Sequence, residues 1–116
     1  MLASELTRSG IMEALKSRHH YGTTGCRMYL KTVVSFDNPA RKYYEDPNLG
    51  SCSSESVIEA IMGDILSSED EEVTFNIEAI GSAPIERIEI RNGLKTLETF
   101  RPYSRDELGS RIRIIW

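Results

Sequence analysis

Between residues 73 and 79 the chain alternates without a break, with Val73, Phe75, Ile77 and Ala79 on one parity and Thr74, Asn76 and Glu78 on the other. A period of two belongs to a strand, and an apolar parity beside a polar one means a sheet with one face covered and one face wet. That pattern rules out an all-helical fold and requires partner strands. The chain offers them downstream. Residues 85–91 place Ile88 and Ile90 inward, and residues 111–116 place Ile112, Ile114 and Trp116 on one face. Between them stands Asn92-Gly93, the strongest short hairpin signal, which predicts a type I′ turn. The register that follows sets Arg91 opposite Leu94, Ile88 opposite Leu97 and Arg87 opposite Glu98. Gly81 to Pro84 and the Pro102-containing stretch 101–109 read as connections.

The first part of the chain has a different period. Thr7 is a good helix N-cap, and Ile11, Leu15 and Arg18/His19 recur at helical spacing, predicting a helix over 8–19. Gly22 and Gly25 then turn the chain into a strand over 26–36, in which Cys26, Met28 and Leu30 share a face. Residues 37–56 are polar and carry Pro39, Pro47, Asn48 and Gly50, so they read as a long loop. Ser56 to Glu59 has the form of a capping box, and Val57, Ile58 and Ile61 suit a short helix over 57–62, cut by Gly63. The expectation is an α+β fold in three stretches. These are a helix and strand over 1–36, a long loop with a short helix over 37–72, and an antiparallel β region over 73–116 that is sandwich-like. The chain starts almost on a helix and stops in a strand on Trp116, which predicts a piece of a longer protein.

Composition narrows the function. A net charge of −4 lacks the basic stripe that a nucleic-acid binder needs, so no nucleic-acid partner is expected. No apolar run approaches the ~20 residues of a membrane span, and the N-terminus has no signal-peptide pattern. No membrane partner is expected, and the default compartment is cytoplasmic. Cys26 and Cys52 are too few for a disulfide framework and read as free thiols.

Few motifs carry chemistry. His19 and His20 are adjacent, and on a helix such neighbours point about 100° apart, which does not suit one shared ion. The acidic run Glu69 to Glu72 reads as a solvated turn before it reads as a cation site. Cys26 has no catalytic base nearby in sequence, and Arg111 and Arg113 serve either an anion or the protection of a sheet edge. Tyr21-Gly22-Thr23-Thr24-Gly25 is the best candidate for ligand contact. It offers two hydroxyls, a phenol and two glycines that let backbone approach a ligand. The same residues also make an ordinary helix-to-strand turn, and the spacing is not that of a phosphate loop.

Together, L-T-R-S-G-I-M-E-A-L-K-S-R-H-H-Y-G-T-T-G-C-R over 6–27, A-I-M-G-D-I over 60–65, G-S-A-P-I-E-R-I-E-I-R-N-G over 81–93 and the closing R-I-R-I-I-W resemble the C-terminal part of an uncharacterised bacterial family. That family is related to the PHP (polymerase and histidinol phosphatase) metal-dependent hydrolases. The chain departs from the family's helix start in having Ser9-Gly10 where Glu-Ala is common. The resemblance implies a longer parent with a PHP-type α/β barrel, whose His and Asp clusters hold divalent metal and hydrolyse phosphate esters. Its ligand motifs lie upstream of the segment matching Leu6, so the resemblance assigns no metal ligand and no catalytic residue here. It implies that Tyr21, Thr23 and Thr24 line the site for a small-molecule substrate in the intact parent. This chain is then expected to be inactive alone, to expose an apolar patch on Ile11, Leu15 and the first strand, and to self-associate or dock to the missing barrel. The competing expectation is a stand-alone β-rich protein-interaction module without catalysis.

Overall fold

A computed structural model of the chain describes residues 1–104 and 106–116. Among these, one α-helix and seven strands appear. They are α1 (Arg8–Lys16), β1 (Met28–Tyr43), β2 (Ser54–Ile61), β3 (Ile65–Ser67), β4 (Thr74–Gly81), β5 (Ile88–Asn92), β6 (Lys95–Phe100) and β7 (Arg111–Ile115), with a single 3-10 turn at Pro47–Leu49. The α+β class expected from sequence is the one observed, mostly β with a small helical part.

The alternating segment is a central strand of the main sheet. Five antiparallel strands lie in the order β2-β1-β4-β7, with β3 pairing the far end of β1. In β4, Ile77 faces Thr32 of β1 and Ile114 of β7, and Ala79 faces Leu30 and Ile112. These residues make one covered face. The separate β5–β6 hairpin lies over it, placing Ile88, Ile90 and Phe100 against a buried cluster of Ile77, Ala79, Ile85, Ile112 and Ile114. Each buried isoleucine contributes about 1.5–3 kcal/mol. At the edge of this layer the Trp116 ring packs on Phe75 at 5.9 Å between centroids. The opposite face of the sheet carries Lys31, Asn76, Glu78, Arg111 and Arg113.

The structure corrects the reading of residues 37–62. β1 runs on to Tyr43, and residues 54–61 are strand β2, not loop and short helix. Val57, Ile58 and Ile61 fit either period, but β-branched side chains are stiff in a helix, and β1 supplies an open edge to pair with. Pro39 does not stop β1 because it sits in a bulge. Ser35 opposes Glu59 and Ala40 opposes Val57, so residues 36–39 face Ile58 alone and the ladder needs no N–H from proline there. Asp70 satisfies the freed backbone, accepting from the N–H groups of Asp37 and Asn38, both at 3.1 Å, and from Asn38 Nδ2 at 2.8 Å. These bonds, the Asn38 side chain first, hold the Asp70 carboxyl below its ordinary pKa. The acidic run is therefore an anchor for a bulge at one of its four members.

The hairpin is where Asn92-Gly93 places it, but one residue out of register. Asn92 pairs with Lys95, so the two-residue loop is Gly93-Leu94, and Gly93 takes φ 58° as its first central residue. Glycine in that position is the signature of a type II′ turn rather than I′. A bulge at Leu97 then sets Ile88 opposite Phe100 and Ile90 opposite Glu98. Arg87 consequently pairs with Glu86 and Glu89, not with Glu98. The loop expected over 101–109 includes residue 105, which lies outside the described residues.

Candidate functional site

The site grows from the end of α1. Thr7 caps its start, its Oγ1 accepting from Gly10 N–H at 3.1 Å. The helix stops at Lys16, three residues before the expected end, because Arg18 turns left-handed at φ 60°. Arg18 N–H then donates to Leu15 C=O and His19 N–H to Ala14 C=O, the paired bonds of a Schellman motif with arginine in the position glycine usually takes. Arginine there costs about 1–2 kcal/mol. Its guanidinium offsets this, Nε donating to Gly63 C=O at 2.9 Å. The Gly63 backbone presses against the same turn. A Cβ on Gly63 would lie 2.6 Å from Arg18 C and 2.9 Å from Ser17 O.

His19 and Asp64 complete the joint between α1 and the β2–β3 turn. His19 Nε2 lies 3.0 Å from Asp64 Oδ1, Lys42 Nζ of β1 lies 3.6 Å from the same oxygen, and Asp64 Oδ2 accepts from Ile61 N–H at 3.0 Å. Only 5% of the Asp64 side chain is exposed. Burial works against the ionised carboxyl, yet the bonds from His19 and Ile61 and the nearby Lys42 outweigh it and hold its pKa below the ordinary value. For Lys42 burial pulls the pKa down, and Asp64 with Glu55, 3.3 Å away, carries it above the usual range. The Glu55 carboxylate beside it pushes the Tyr44 phenol up. Sequence reasoning missed Asp64, Lys42 and Glu55, which come from separate strands and turns and share no local motif.

Tyr21, Thr23 and Thr24 follow in the connection to β1. The Tyr21 hydroxyl donates to Met28 C=O at 2.9 Å and accepts from Leu30 N–H at 3.0 Å. It thereby covers the stretch of β1 edge that β2, pairing only from Val33, leaves open. Thr23 and Thr24 stand exposed at the tip of the turn, and Gly25 takes φ 82°. The structure thus puts the Tyr21 hydroxyl against β1 and leaves the two threonines exposed.

Among the described residues no group of three or more His, Cys, Asp and Glu is placed to hold a metal ion. The nearest approach, His19 with Asp64, already has the Lys42 ammonium beside its shared oxygen, where an ion would be repelled. Apolar side chains are open on the outer side of α1, Met12 at 48% and Leu15 at 41% exposure, with Tyr29 of β1 at 42%. The buried residues of α1 are Gly10 and Ala14; of the two helix residues expected in an apolar patch, Leu15 is exposed and Ile11 is half-buried. Among the described residues no helix is long and apolar enough to cross a membrane.

These features define a small, mostly β module of two antiparallel sheets, with α1 held by a half-buried His–Asp–Lys joint. The family model described as "Protein of unknown function (DUF3604)" matches residues 1–98, and the chain belongs to this family. The match takes in α1, the turn bearing Tyr21, Thr23 and Thr24, and the Asp64 joint. No curated protein and no solved structure matches the chain.

Proposed function

We propose that this chain is the C-terminal part of a PHP-like, metal-dependent hydrolase of phosphoesterase type, and that it supports the site without supplying its chemistry. The observation that carries this reading is a set of exposed apolar side chains on α1 and at the start of β1. Met12, Leu15 and Tyr29 are each more than two-fifths exposed, on elements otherwise fixed by the Arg18–Gly63 and His19–Asp64 contacts. Exposed apolar side chains of this kind suit docking to a barrel. The turn at residues 21–25 is anchored by Tyr21 at its base and exposes Thr23 and Thr24 at its tip, and the reading assigns this turn to the lining of a neighbouring site. In the intact parent the barrel supplies the metal ligands, and this chain alone is inactive.

The test is phosphoesterase activity with Mn²⁺, Zn²⁺ and Mg²⁺, on this chain and on a version extended upstream. Activity confined to the extended protein supports the reading; activity in the short chain refutes the supporting role. A second reading, a stand-alone interaction module, draws on Ile58 and Ile115, 62% and 68% exposed on the two outer strands of the sheet. It predicts that both versions are inactive and that an extended peptide protects the amides of β2 or β7 from exchange.

A further inference from the structure

The wet face of the main sheet holds a cleft of about 430 Å³ lined by Lys31, Ser35, Glu59, Asn76, Glu78 and Arg113. Register explains its layout. Lys31, Glu78 and Arg113 lie in one row across β1, β4 and β7, Val33 and Asn76 lie in the next, and Ser35 with Glu59 of β2 lies in the one after. Rows on one face are about 6.7 Å apart, so the basic row and the Glu59 row are separated by roughly 13 Å.

Glu78 does not neutralise its row. Arg111 draws it along the strand, donating from Nη2 to Oε1 at 2.9 Å. Lys31 and Arg113 form no ion pair among the described residues. They stand one strand either side of Glu78, on a chain whose net charge is −4. One end of the cleft thus presents a planar guanidinium and an ammonium, the pair of groups that grips a dianionic phosphate. The middle presents the half-buried Asn76 amide and Ser35 hydroxyl over the apolar floor of Val33. The far end presents a carboxylate, which accepts hydroxyl groups and repels a second phosphate.

We propose that this face binds a phosphorylated polyhydroxy compound, its phosphate on Lys31 and Arg113 and its hydroxyls on Asn76, Ser35 and Glu59. The inference does not rest on the hydrolase reading, because no bond is made or broken at the cleft. Glu59 sets the direction in which the ligand lies, and the phosphate supplies most of the affinity.

The experiment is titration of the full chain with glucose 6-phosphate, followed by calorimetry and by backbone amide shifts. Saturable binding is expected with a Kd of roughly 1 mM, with shifts at Lys31, Asn76 and Arg113. Inorganic phosphate should bind more weakly, and glucose should not bind. The Lys31→Gln/Arg113→Gln double variant should weaken glucose 6-phosphate by about tenfold or more. Arg87→Gln/Arg101→Gln removes the same charge from the hairpin layer and should leave binding unchanged. Glu59→Gln should weaken glucose 6-phosphate and spare inorganic phosphate. Absence of saturable shifts at the cleft overturns the proposal. So does equal loss in the two double variants, which would mean attraction by overall charge, or glucuronate binding as tightly as glucose 6-phosphate. The activity assay under "Proposed function" reads none of these outcomes, so the two readings fail separately.

Discussion

Replacing Gly63 by alanine should destabilise the chain strongly. Gly63 has φ 96°, a region that L side chains rarely enter, and the new Cβ would lie 2.6 Å from Arg18 C and 2.9 Å from Ser17 O. Neither atom can swing away, because both belong to the backbone that ends α1. The backbone conformation alone costs about 1–2 kcal/mol. Relief of the clash must separate the β2–β3 turn from the helix end, which breaks the 2.9 Å bond from Arg18 Nε to Gly63 C=O. A hydrogen bond to a charged group contributes about 1.5–3 kcal/mol. The sum, roughly 4 kcal/mol, corresponds to a fall in Tm of roughly 15 °C for a domain of this size. Gly93→Ala is the matched control: φ is 58°, but no atom lies within 4 Å of its would-be Cβ. It should cost only the conformational part, about 1 kcal/mol. Urea unfolding followed by Trp116 fluorescence and circular dichroism measures both. Equal losses for the two variants would refute the close packing of the β2–β3 turn on the helix end.

Three further outcomes follow from the joint and the turn. Tyr21→Phe leaves Met28 C=O and Leu30 N–H without their partner, so stability should fall by about 1–2 kcal/mol, and the Leu30 amide should exchange faster while amides in β4 do not. Thr23→Ala and Thr24→Ala, at exposed positions, should each change stability by less than about 0.5 kcal/mol, so any loss of activity they cause in an extended protein reports on the site. Asp64 is held below its unfolded pKa of about 3.9, so its stabilisation is complete above that pH and disappears as pH falls through the lower folded value. Asp64→Asn should therefore be less stable than the parent at neutral pH and approach it in acid, as measured by urea midpoints across the range.

The sequence carried the strands that obey a clean period and hid those decided by partners. β4 and β7 were legible because alternate residues face a covered and a wet side, as Ile77, Ile112 and Ile114 do. β2 was not legible, since Val57, Ile58 and Ile61 satisfy both a helical and an extended spacing, and only the long edge of β1 decides between them. The continuation of β1 through Pro39 depends on a bulge held by Asp70, thirty-odd residues away along the chain. The hairpin was read from Asn92-Gly93, but the register depends on which residue takes positive φ, and Gly93 does so alone. At the candidate site Tyr21 was found by its motif, while its role came from the backbone of β1 that it bridges. His19 was visible next to His20, but its partner Asp64 lies forty-five residues on, with Gly63 as the only local sign of a special turn.

The central claim is that this chain supports a hydrolase site whose metal ligands lie elsewhere. The direct measurement is hydrolysis of a generic phosphomonoester such as p-nitrophenyl phosphate with Mn²⁺, Zn²⁺ or Mg²⁺, using this chain and an upstream-extended version side by side. The account predicts turnover in the extended protein alone. Metal-dependent turnover by the short chain, abolished by Asp64→Asn or His19→Gln, would contradict it and place the chemistry at the joint described here.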